Sequence, residues 1–333
     1  MKIVLLICFT ALSFSACAQP KINGVALEAP PKEVDESWTI GVKQINANYV
    51  AVIPFGFSRE GNASVGFNYD RQWWGEKEIG TRENIKQAKE NNLKVMLKPH
   101  LWIAGSGWVG EFGFETDDEW ALWEKELTEY ILFYARIAEE MDVEIYCLST
   151  ELKRSVNERP EYWINVISEV RKVYKGKLTY CSNWDNYENV TFWDKLDYIG
   201  ISGYFPLVEK ATPSVAELKL AWVGVKEKLE KTSKSVNKPI LFTEYGYRNI
   251  DFATWKAWEV EYKKNGAEHV NNEEQVNAYQ ALYESLWHEK WFAGGFLWKW
   301  YLRETRFDPQ QNTDWTPQNK PVEKVIREAY RVK

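Results

Sequence analysis

Eight short apolar segments recur along the chain, and most of them are followed by a segment with the length and composition of a helix. The predicted strands lie within 22–28, 49–54, 93–99, 143–152, 178–183, 196–202, 238–247 and 293–298. Strands that alternate with helices pair in parallel through right-handed crossovers, and eight such units close into a barrel. The sequence therefore predicts an α/β fold, a (β/α)8 TIM barrel in a single domain.

The segments between these strands predict seven helices and one long loop. The predicted helices are 36–47, 84–91, 118–141, 160–174, 213–235, 273–290 and 319–330. Thr81 is expected to cap the second helix, and Thr116 or Asp117 the third. The stretch 56–80 is polar and contains glycine, which predicts an irregular loop. The unit after Asn189 has only a short helical segment and is the weakest of the eight.

An open, doubly wound sheet is the alternative architecture for alternating strands and helices. That fold binds phosphates through a glycine-rich turn after its first strand. No GxGxxG motif or phosphate-binding loop follows the strand at 22–28. The sequence therefore favours the barrel over the open sheet.

Besides the first strand, which ends in Glu28, two predicted strands far apart in the sequence each have a glutamate at their end. Glu151 ends the segment VEIYCLSTEL, and Glu244 ends the apolar run of KPILFTEYGY. A carboxylate at the end of a buried strand is costly unless it is paired or used, and this end of a barrel strand is where barrel enzymes carry their chemistry. Either glutamate alone could be an exposed loop residue. Two of them on separate strands are what a hydrolase with two carboxylates needs.

The strand-end residues face one mouth if the barrel closes. They are Glu28, His100, Trp102, Glu151, Asn183, Trp184, Tyr204, Glu244 and Trp298. This set combines carboxylates with aromatic and amide side chains, which suits glycoside hydrolysis, in which one carboxyl is protonated and the other ionised. The alternative for Glu28 is a structural ion pair, and for His100 a contact that holds a loop.

The aromatic content points to the same class of substrate. The 333 residues include 18 Trp, 18 Tyr and 15 Phe, and the flat faces of these side chains suit the C–H faces of sugar rings. Trp73 and Trp74 in the loop 56–80 are expected either to contact sugar at an outer site or to pack the loop onto the barrel. The net charge of -6 argues against a nucleic-acid partner.

The N-terminus is typical of an export signal. Lys2 precedes a short apolar run, and Ser15 and Ala16 precede Cys17, as in a bacterial lipoprotein signal whose cysteine receives lipid. The predicted division is a signal peptide at 1–16, a tether at 17–21 and a catalytic domain at 22–333. We expect an exported protein, anchored to a membrane through Cys17; plain secretion with cleavage near Ala18 is the alternative.

The remaining cysteines and the histidines suggest no cofactor. Cys147 and Cys181 fall in predicted strands, so buried free thiols are expected rather than a disulfide. The three histidines are scattered, and the chain has no HExxH or CxxC motif. We therefore expect neither a metal nor a cofactor.

Five strings on successive predicted strands carry a resemblance to a known family. They are MLKPH at 96–100, STEL at 149–152, FWDKLDYIGISGYFPL at 192–207, KPILFTEYGYR at 238–248 and GGFLWKW at 294–300. Together they resemble glycoside hydrolase family 113, a clan-A family of (β/α)8 enzymes that are mostly β-1,4-mannanases. The resemblance extends from about residue 22 to residue 300.

The resemblance implies a retaining hydrolase that acts by double displacement on β-mannan or manno-oligosaccharides. It implies that Glu151 is the acid/base and Glu244 the nucleophile, that Tyr204 hydrogen-bonds the nucleophile, and that Trp298 floors the sugar site. Thr150 stands where the wider clan commonly has Asn, as it does in this family. The substrate-binding residues expected on this basis are His100, Trp102, Asn183, Trp184, Tyr204, Trp298, Glu28 and Lys98, the last of which is also expected to pair with a carboxylate.

Two other functions remain open from the sequence. A clan-A hydrolase for another β-glycan, such as glucan or xylan, would carry the same two glutamates. A non-catalytic, glycan-binding surface lipoprotein could use the same scaffold, because a fold does not dictate a function.

Overall fold

The computed structural model describes residues 20–105, 107–259, 266–303, 308 and 311–331. The predicted signal peptide at 1–16, Cys17 and the start of the predicted tether lie outside the described residues. The described residues form one domain, and none of their helices has the length and apolar character needed to cross a membrane.

Eleven strands lie in the described part of the chain. They are β1 (Ile22–Leu27), β2 (Tyr49–Val52), β3 (Phe55–Arg59), β4 (Asn62–Phe67), β5 (Lys94–Leu97), β6 (His100–Ala104), β7 (Ile145–Thr150), β8 (Lys177–Asn183), β9 (Ile199–Ser202), β10 (Ile240–Tyr245) and β11 (Phe292–Trp300). Eight of them form a closed barrel in the order β1-β11-β10-β9-β8-β7-β5-β2. Every pair in the barrel is parallel, and β1 closes it: Val25 pairs with Leu297 of β11 and with Val50 of β2. The predicted eight-stranded barrel is thus confirmed.

The α-helices of the described residues surround this barrel. They are α1 (Trp38–Gln44), α2 (Glu78–Glu90), α3 (Asp117–Glu140), α4 (Lys153–Glu158), α5 (Pro160–Val173), α6 (Val215–Val236), α7 (Asn272–Leu286) and α8 (Val322–Ala329). Thr116 caps α3, as the sequence predicts, and accepts a hydrogen bond from the backbone N–H of Glu119. Thr81 does not cap α2; the helix begins three residues earlier, and Thr81 is buried inside it.

The unit between β8 and β9 lacks an α-helix in the continuous range 107–259. Two 3-10 turns, Tyr187–Asn189 and Trp193–Lys195, connect these strands instead. The weakness that the sequence indicates at this unit is therefore real, and the barrel closes without a full crossover helix there.

The stretch 56–80 is more ordered than the sequence analysis expects. Strands β3 and β4 form a hairpin whose turn is Glu60–Gly61, with Arg59 opposite Asn62 and Gly61 at a φ of 69°. A positive φ favours glycine, so the turn residue suits its position. Strand β3 also pairs in parallel with β6, which makes a three-stranded sheet, β4-β3-β6, beyond the end of β5. The expectation of an irregular loop is wrong for residues 56–67.

Two layers of apolar side chains hold the barrel together. An outer layer lies between the strands and the helices. The interior layer includes Met96, Ile145, Leu241 and Phe296 and the two cysteines, Cys147 and Cys181. Both cysteines are buried free thiols, as expected from their place on strands.

A close approach of the backbone at one end of the barrel and a side-chain contact at the other fix the two ends. A Cβ on Gly246 would lie 2.5 Å from the carbonyl oxygen of Trp298, so only glycine lets the chain after β10 pass this close to β11. At the opposite end, the Lys21 side chain donates hydrogen bonds to the carbonyl oxygens of Glu289 and Phe292. Because all barrel strands are parallel, this lysine marks the end where β1 starts.

Candidate active site

One cavity opens at the carboxyl ends of the barrel strands, with a volume of about 720 Å³. It is lined by Phe55, His100, Leu101, Trp102, Ile103, Gly107, Trp108, Val109, Thr150, Glu151, Asn183, Trp184, Asp185, Tyr204, Glu244, Trp258, Trp298 and Trp315. This volume and a wall that is rich in aromatic side chains and has few charged groups are typical of a small-molecule site. The two strand-end glutamates lie within the same cavity wall.

Glu244 is held at the end of β10 by three side chains. Lys98, which is completely buried, forms an ion pair with Oε1 of Glu244. Nε2 of His100 lies 3.3 Å from the same oxygen. The Tyr204 hydroxyl donates a hydrogen bond of 3.1 Å to Oε2. Each carboxylate oxygen therefore has a fixed neighbour, and the side chain has little freedom to rotate.

The environment of Glu244 keeps its carboxyl group ionised. Burial alone would raise its pKa, but the positive charge of Lys98 and the contacts with His100 outweigh burial and lower the pKa to about 2. Burial and the charge of Lys98 lower the pKa of His100, so the imidazole is neutral near pH 7. Lys98 is thus the charge that balances Glu244.

Glu151 follows β7 in an unusual backbone conformation. Its φ is 55°, in the left-handed region that side chains other than glycine rarely adopt. Its backbone N–H donates to the carbonyl oxygen of Cys181 on β8, over 2.7 Å. The Nε1–H of Trp108 donates to Oε2 of Glu151 over 2.8 Å. Strain of this kind costs of the order of 1–3 kcal/mol and is commonest at functional sites.

Burial raises the pKa of Glu151, and the negative charge of Glu244 raises it further. Hydrogen bonds from Ser202 and Trp108 and the charge of Lys98 act in the opposite direction without cancelling the rise. The protein therefore separates the two carboxyl groups: Glu244 ionises readily and Glu151 keeps its proton more strongly. Such a pair supplies a nucleophile and a proton donor in one cavity.

Aromatic rings form the walls around the two carboxyl groups. The rings of His100 and Trp298 are stacked, with centroids 6.0 Å apart and an interplanar angle of 9°. On another wall, Trp184 and Trp258 are stacked with centroids 5.1 Å apart. Trp102 is 56% exposed although it lines the cavity. Exposed tryptophan faces in a cavity are suited to bind the apolar face of a sugar ring.

Eight of the residues that the sequence predicts for the site line this cavity. They are His100, Trp102, Glu151, Asn183, Trp184, Tyr204, Glu244 and Trp298. His100 and Trp102 both lie on β6, and both side chains reach the cavity because alternate residues of a strand point to the same face. Asn183 donates to Asp185 over 2.8 Å, at the edge of the cavity.

Two other residues predicted to bind substrate lie outside the cavity lining. Lys98 is completely buried beneath Glu244, so it has no surface for a substrate; the ion pair predicted for it is what the structure contains. Glu28 is not among the lining residues and forms an ion pair of 2.9 Å with Lys299. Trp73 and Trp74 also lie outside the lining, and Trp74 packs against the core.

Sequence reasoning missed three tryptophans of the cavity: Trp108, Trp258 and Trp315. Each lies outside the strands, in a connection whose path is set by distant contacts. Trp315, for example, donates from Nε1 to the carbonyl oxygen of Ala257 over 3.0 Å. The excess of tryptophan in the sequence is the one signal that could have suggested them.

The chain resembles known proteins over most of its length. A family model described as Glycoside Hydrolase Family 113 matches residues 32–320. A β-1,4-mannanase of family 113, solved as a complex, is 25% identical with a TM-score of 0.80, covering 94% of this chain and 100% of that chain. A family 113 β-mannanase from Alicyclobacillus acidocaldarius, in complex with ManMIm, is 24% identical with a TM-score of 0.80, covering 93% of this chain and 97% of that chain.

More distant structures share the barrel alone. A β-glucuronidase from Ruminococcus gnavus is 13% identical with a TM-score of 0.62, covering 94% of this chain and 50% of that chain. No curated protein sequence matches the chain.

Proposed function

The chain belongs to glycoside hydrolase family 113, and on this premise we propose that it is a retaining hydrolase of β-1,4-mannosidic linkages in mannan or manno-oligosaccharides. The observation that carries the proposal is the pair of strand-end carboxyl groups in one aromatic cavity, with pKa values shifted in opposite directions. Retaining glycosidases need this combination of an ionised nucleophile and a protonated acid.

In the first step, the carboxylate of Glu244 attacks the anomeric carbon and forms a glycosyl ester. The bond between that carbon and the glycosidic oxygen breaks, and the proton of Glu151 passes to the departing oxygen. Tyr204 and Lys98 hold the attacking carboxylate in one orientation. This fixed geometry lowers the entropic cost of the attack.

In the second step, Glu151 is ionised and removes a proton from water. The water oxygen attacks the same anomeric carbon and displaces the carboxylate of Glu244, which restores the enzyme. Two inversions at one carbon give a product with the original β-configuration. Aromatic rings of Trp298, Trp184 and Trp102 support the sugar rings on either side of the cleaved bond.

The substrate and the stereochemistry can be tested together. The purified protein is incubated with β-mannan, β-glucan and xylan, and the anomers formed from manno-oligosaccharides are followed by NMR from the first minutes. We expect cleavage of mannan with the β-anomer appearing first. Cleavage of glucan alone, or α-anomer as the first product, would contradict the proposal.

We also propose that the chain is exported and anchored to a membrane through lipid on Cys17. The proposal rests on the sequence of residues 1–17, with its charged start, apolar run and small residues before the cysteine. Labelled fatty acid should be incorporated into the wild-type protein in bacterial cells and not into Cys17→Ser. Equal labelling of both proteins would contradict the anchor.

A further inference from the structure

Trp108 is the one tryptophan side chain that hydrogen-bonds either catalytic carboxyl group in the described part of the chain. Its Nε1–H donates to Oε2 of Glu151 over 2.8 Å, and its ring lines the cavity. The residue comes from the connection between β6 and α3, where the backbone N–H of Glu111 donates to its carbonyl oxygen. The contact therefore joins this connection to the end of β7.

An ion pair between Lys153 and Asp185 supports the position of the Trp108 ring. Nζ of Lys153, in α4, lies 5.8 Å from the centre of the Trp108 ring. Lys153 in turn pairs with Asp185 over 2.8 Å, and Asp185 accepts a hydrogen bond from Asn183. A cation over an aromatic face is favourable. The position of the indole is thus supported by the chain segments that follow β7 and β8.

Several other groups face Glu151 from the strands packed around it. They are Glu244 of β10, Lys98 that follows β5, Ser202 of β9, Tyr180 and Cys181 of β8, and Tyr204 that follows β9. Glu244 opposes ionisation of Glu151, whereas Lys98 and Ser202 favour it. The tyrosines and the cysteine are neutral near pH 7, since burial raises the pKa of each.

The indole N–H of Trp108 can donate a hydrogen bond and cannot accept one, and it does so without carrying a charge. Its bond to a carboxyl oxygen strengthens as that carboxyl loses its proton, since hydrogen bonds to ionised acceptors are stronger. In the first step of the proposed reaction, Glu151 loses its proton in the transition state. An interaction that is stronger there than in the ground state accelerates the step.

We propose that Trp108 is a positioning residue for the acid/base: its N–H aims the carboxyl group of Glu151 and stabilises the carboxylate that forms when the proton leaves. This inference rests on the proposed function. It assigns to the connection between β6 and α3 a part in proton transfer in addition to its place in the cavity wall.

The test removes the N–H and keeps the ring. Trp108→Phe retains an aromatic face, and replacement of Trp108 by 3-benzothienylalanine retains the full bicyclic shape with sulfur in place of N–H. Without the donor, the ionised form of Glu151 is less stable, so its pKa rises. We expect the alkaline limb of kcat/KM to move up by about 1 pH unit, the shift that loss of one hydrogen bond to a charged acceptor produces.

Two further readouts separate this role from a structural one. The kcat on manno-oligosaccharides should fall about tenfold, while an aryl mannoside whose leaving group needs no protonation should transfer its mannosyl group to Glu244 at nearly the wild-type rate. The matched control is Trp102→Phe, which alters the same cavity and should change KM without moving the alkaline limb. A 3-benzothienylalanine variant whose alkaline limb stays in place would overturn the inference.

Failure of this inference is distinct from failure of the proposed function. If Glu151→Gln abolishes cleavage of oligosaccharides while both Trp108 variants keep the wild-type pH profile, the inference alone is wrong. If Glu151→Gln turns over oligosaccharides at the wild-type rate, Glu151 is not the acid/base, and the proposed function and the role of Trp108 both fail.

Discussion

Glu151 and Glu244 occupy equivalent positions at the ends of two barrel strands, yet the protein surrounds them in opposite ways. Glu244 has a buried lysine as its counter-charge, a tyrosine hydroxyl and a histidine ring. Glu151 has one indole N–H, a left-handed backbone conformation and the negative charge of its partner across the cavity. The same side chain is thereby stabilised as an anion in one place and as a neutral acid in the other.

The end of a barrel strand places each carboxyl group in the cavity, and side chains from the neighbouring strands determine whether that group is ionised. Lys98, which follows β5, sets the charge of Glu244 from inside the barrel. No comparable ion pair involves Glu151 among the described residues, so burial dominates its pKa. The pKa values of the two carboxyl groups therefore differ because Glu244 has a buried counter-charge and Glu151 has none. Substitutions at Lys98 or at either glutamate should reduce that difference.

The largest expected effect is the loss of kcat when either catalytic glutamate is replaced by alanine, and it distinguishes the nucleophile from the acid/base. Glu244→Ala should lower kcat by about 10⁴-fold or more on every substrate, because no other group can form the glycosyl ester. Glu151→Ala should lower kcat on oligosaccharides by about 10²–10⁴-fold, the usual contribution of an acid or base. Pre-steady-state kinetics with a dinitrophenyl mannoside should show a rapid burst for Glu151→Ala and none for Glu244→Ala. A burst of the same size in both variants would mean that the roles are assigned wrongly.

Substitution of Lys98 tests how much its ion pair with Glu244 contributes to stability. Lys98→Met leaves a buried carboxylate without its partner, and breaking a buried pair in this way costs about 3–5 kcal/mol of unfolding free energy. The double variant Lys98→Met with Glu244→Gln removes both charges and should regain most of that loss. Denaturant unfolding at pH 7 measures both. Equal instability of the single and double variants would show that packing, and not charge, makes Lys98 important.

The pH dependence of stability sharpens the contrast. The pKa of Glu244 is lowered to about 2, so its contribution to stability is present above the unfolded pKa of about 4.3 and is lost as pH falls toward 2. The pKa of Glu151 is raised, so its protonated form contributes stability at low pH that is lost as pH rises through the folded pKa. Glu151→Gln should therefore be more stable than wild type at pH 7, by about 0.5–2 kcal/mol.

The comparison is made by unfolding Glu151→Gln and Glu244→Gln in denaturant between pH 3 and pH 8. Glu244→Gln should lose stability at pH 7, because it leaves the charge of Lys98 buried and unbalanced. If both variants are stabilised at pH 7, the ion pair with Lys98 does not favour the folded state.

Glu28 is a third strand-end carboxylate and should show the smallest effect. It pairs with Lys299 and lies outside the cavity lining, so Glu28→Gln should change kcat/KM on oligosaccharides by no more than about twofold. Loss of a partly exposed ion pair costs about 1 kcal/mol or less. A tenfold rise in KM would instead place Glu28 in contact with the substrate.

The parts of the site that follow directly from strand ends were predictable from the sequence. Glu151 and Glu244 each lie at the end of a predicted strand, so their position follows from the strand assignments and barrel topology alone. The hairpin at 55–67 was also within reach, since Phe55 and Phe57, and then Val65, alternate with smaller or polar residues on either side of the turn.

The rest depends on contacts between distant residues. In the sequence, Lys98 is a single charged residue at the end of an apolar strand. Only closure of the barrel brings it next to the carboxylate of Glu244, 146 residues away. Trp108 and Trp315 lie in connections without regular hydrogen bonding, whose course is decided by packing partners far along the chain. Local pattern cannot specify such a course, and so three of the tryptophans around the cavity were missed.

The anchoring of Lys21 at the start of β1 has a consequence for how the enzyme would meet a polymer. Under the proposed lipid attachment, Ile22 can lie no more than about 18 Å from Cys17, and β1 begins on the side of the barrel away from the cavity. The floor of the barrel would rest near the lipid surface, and the cleft would open toward the surrounding medium. A long glycan could then lie across the cleft without steric conflict with the bilayer.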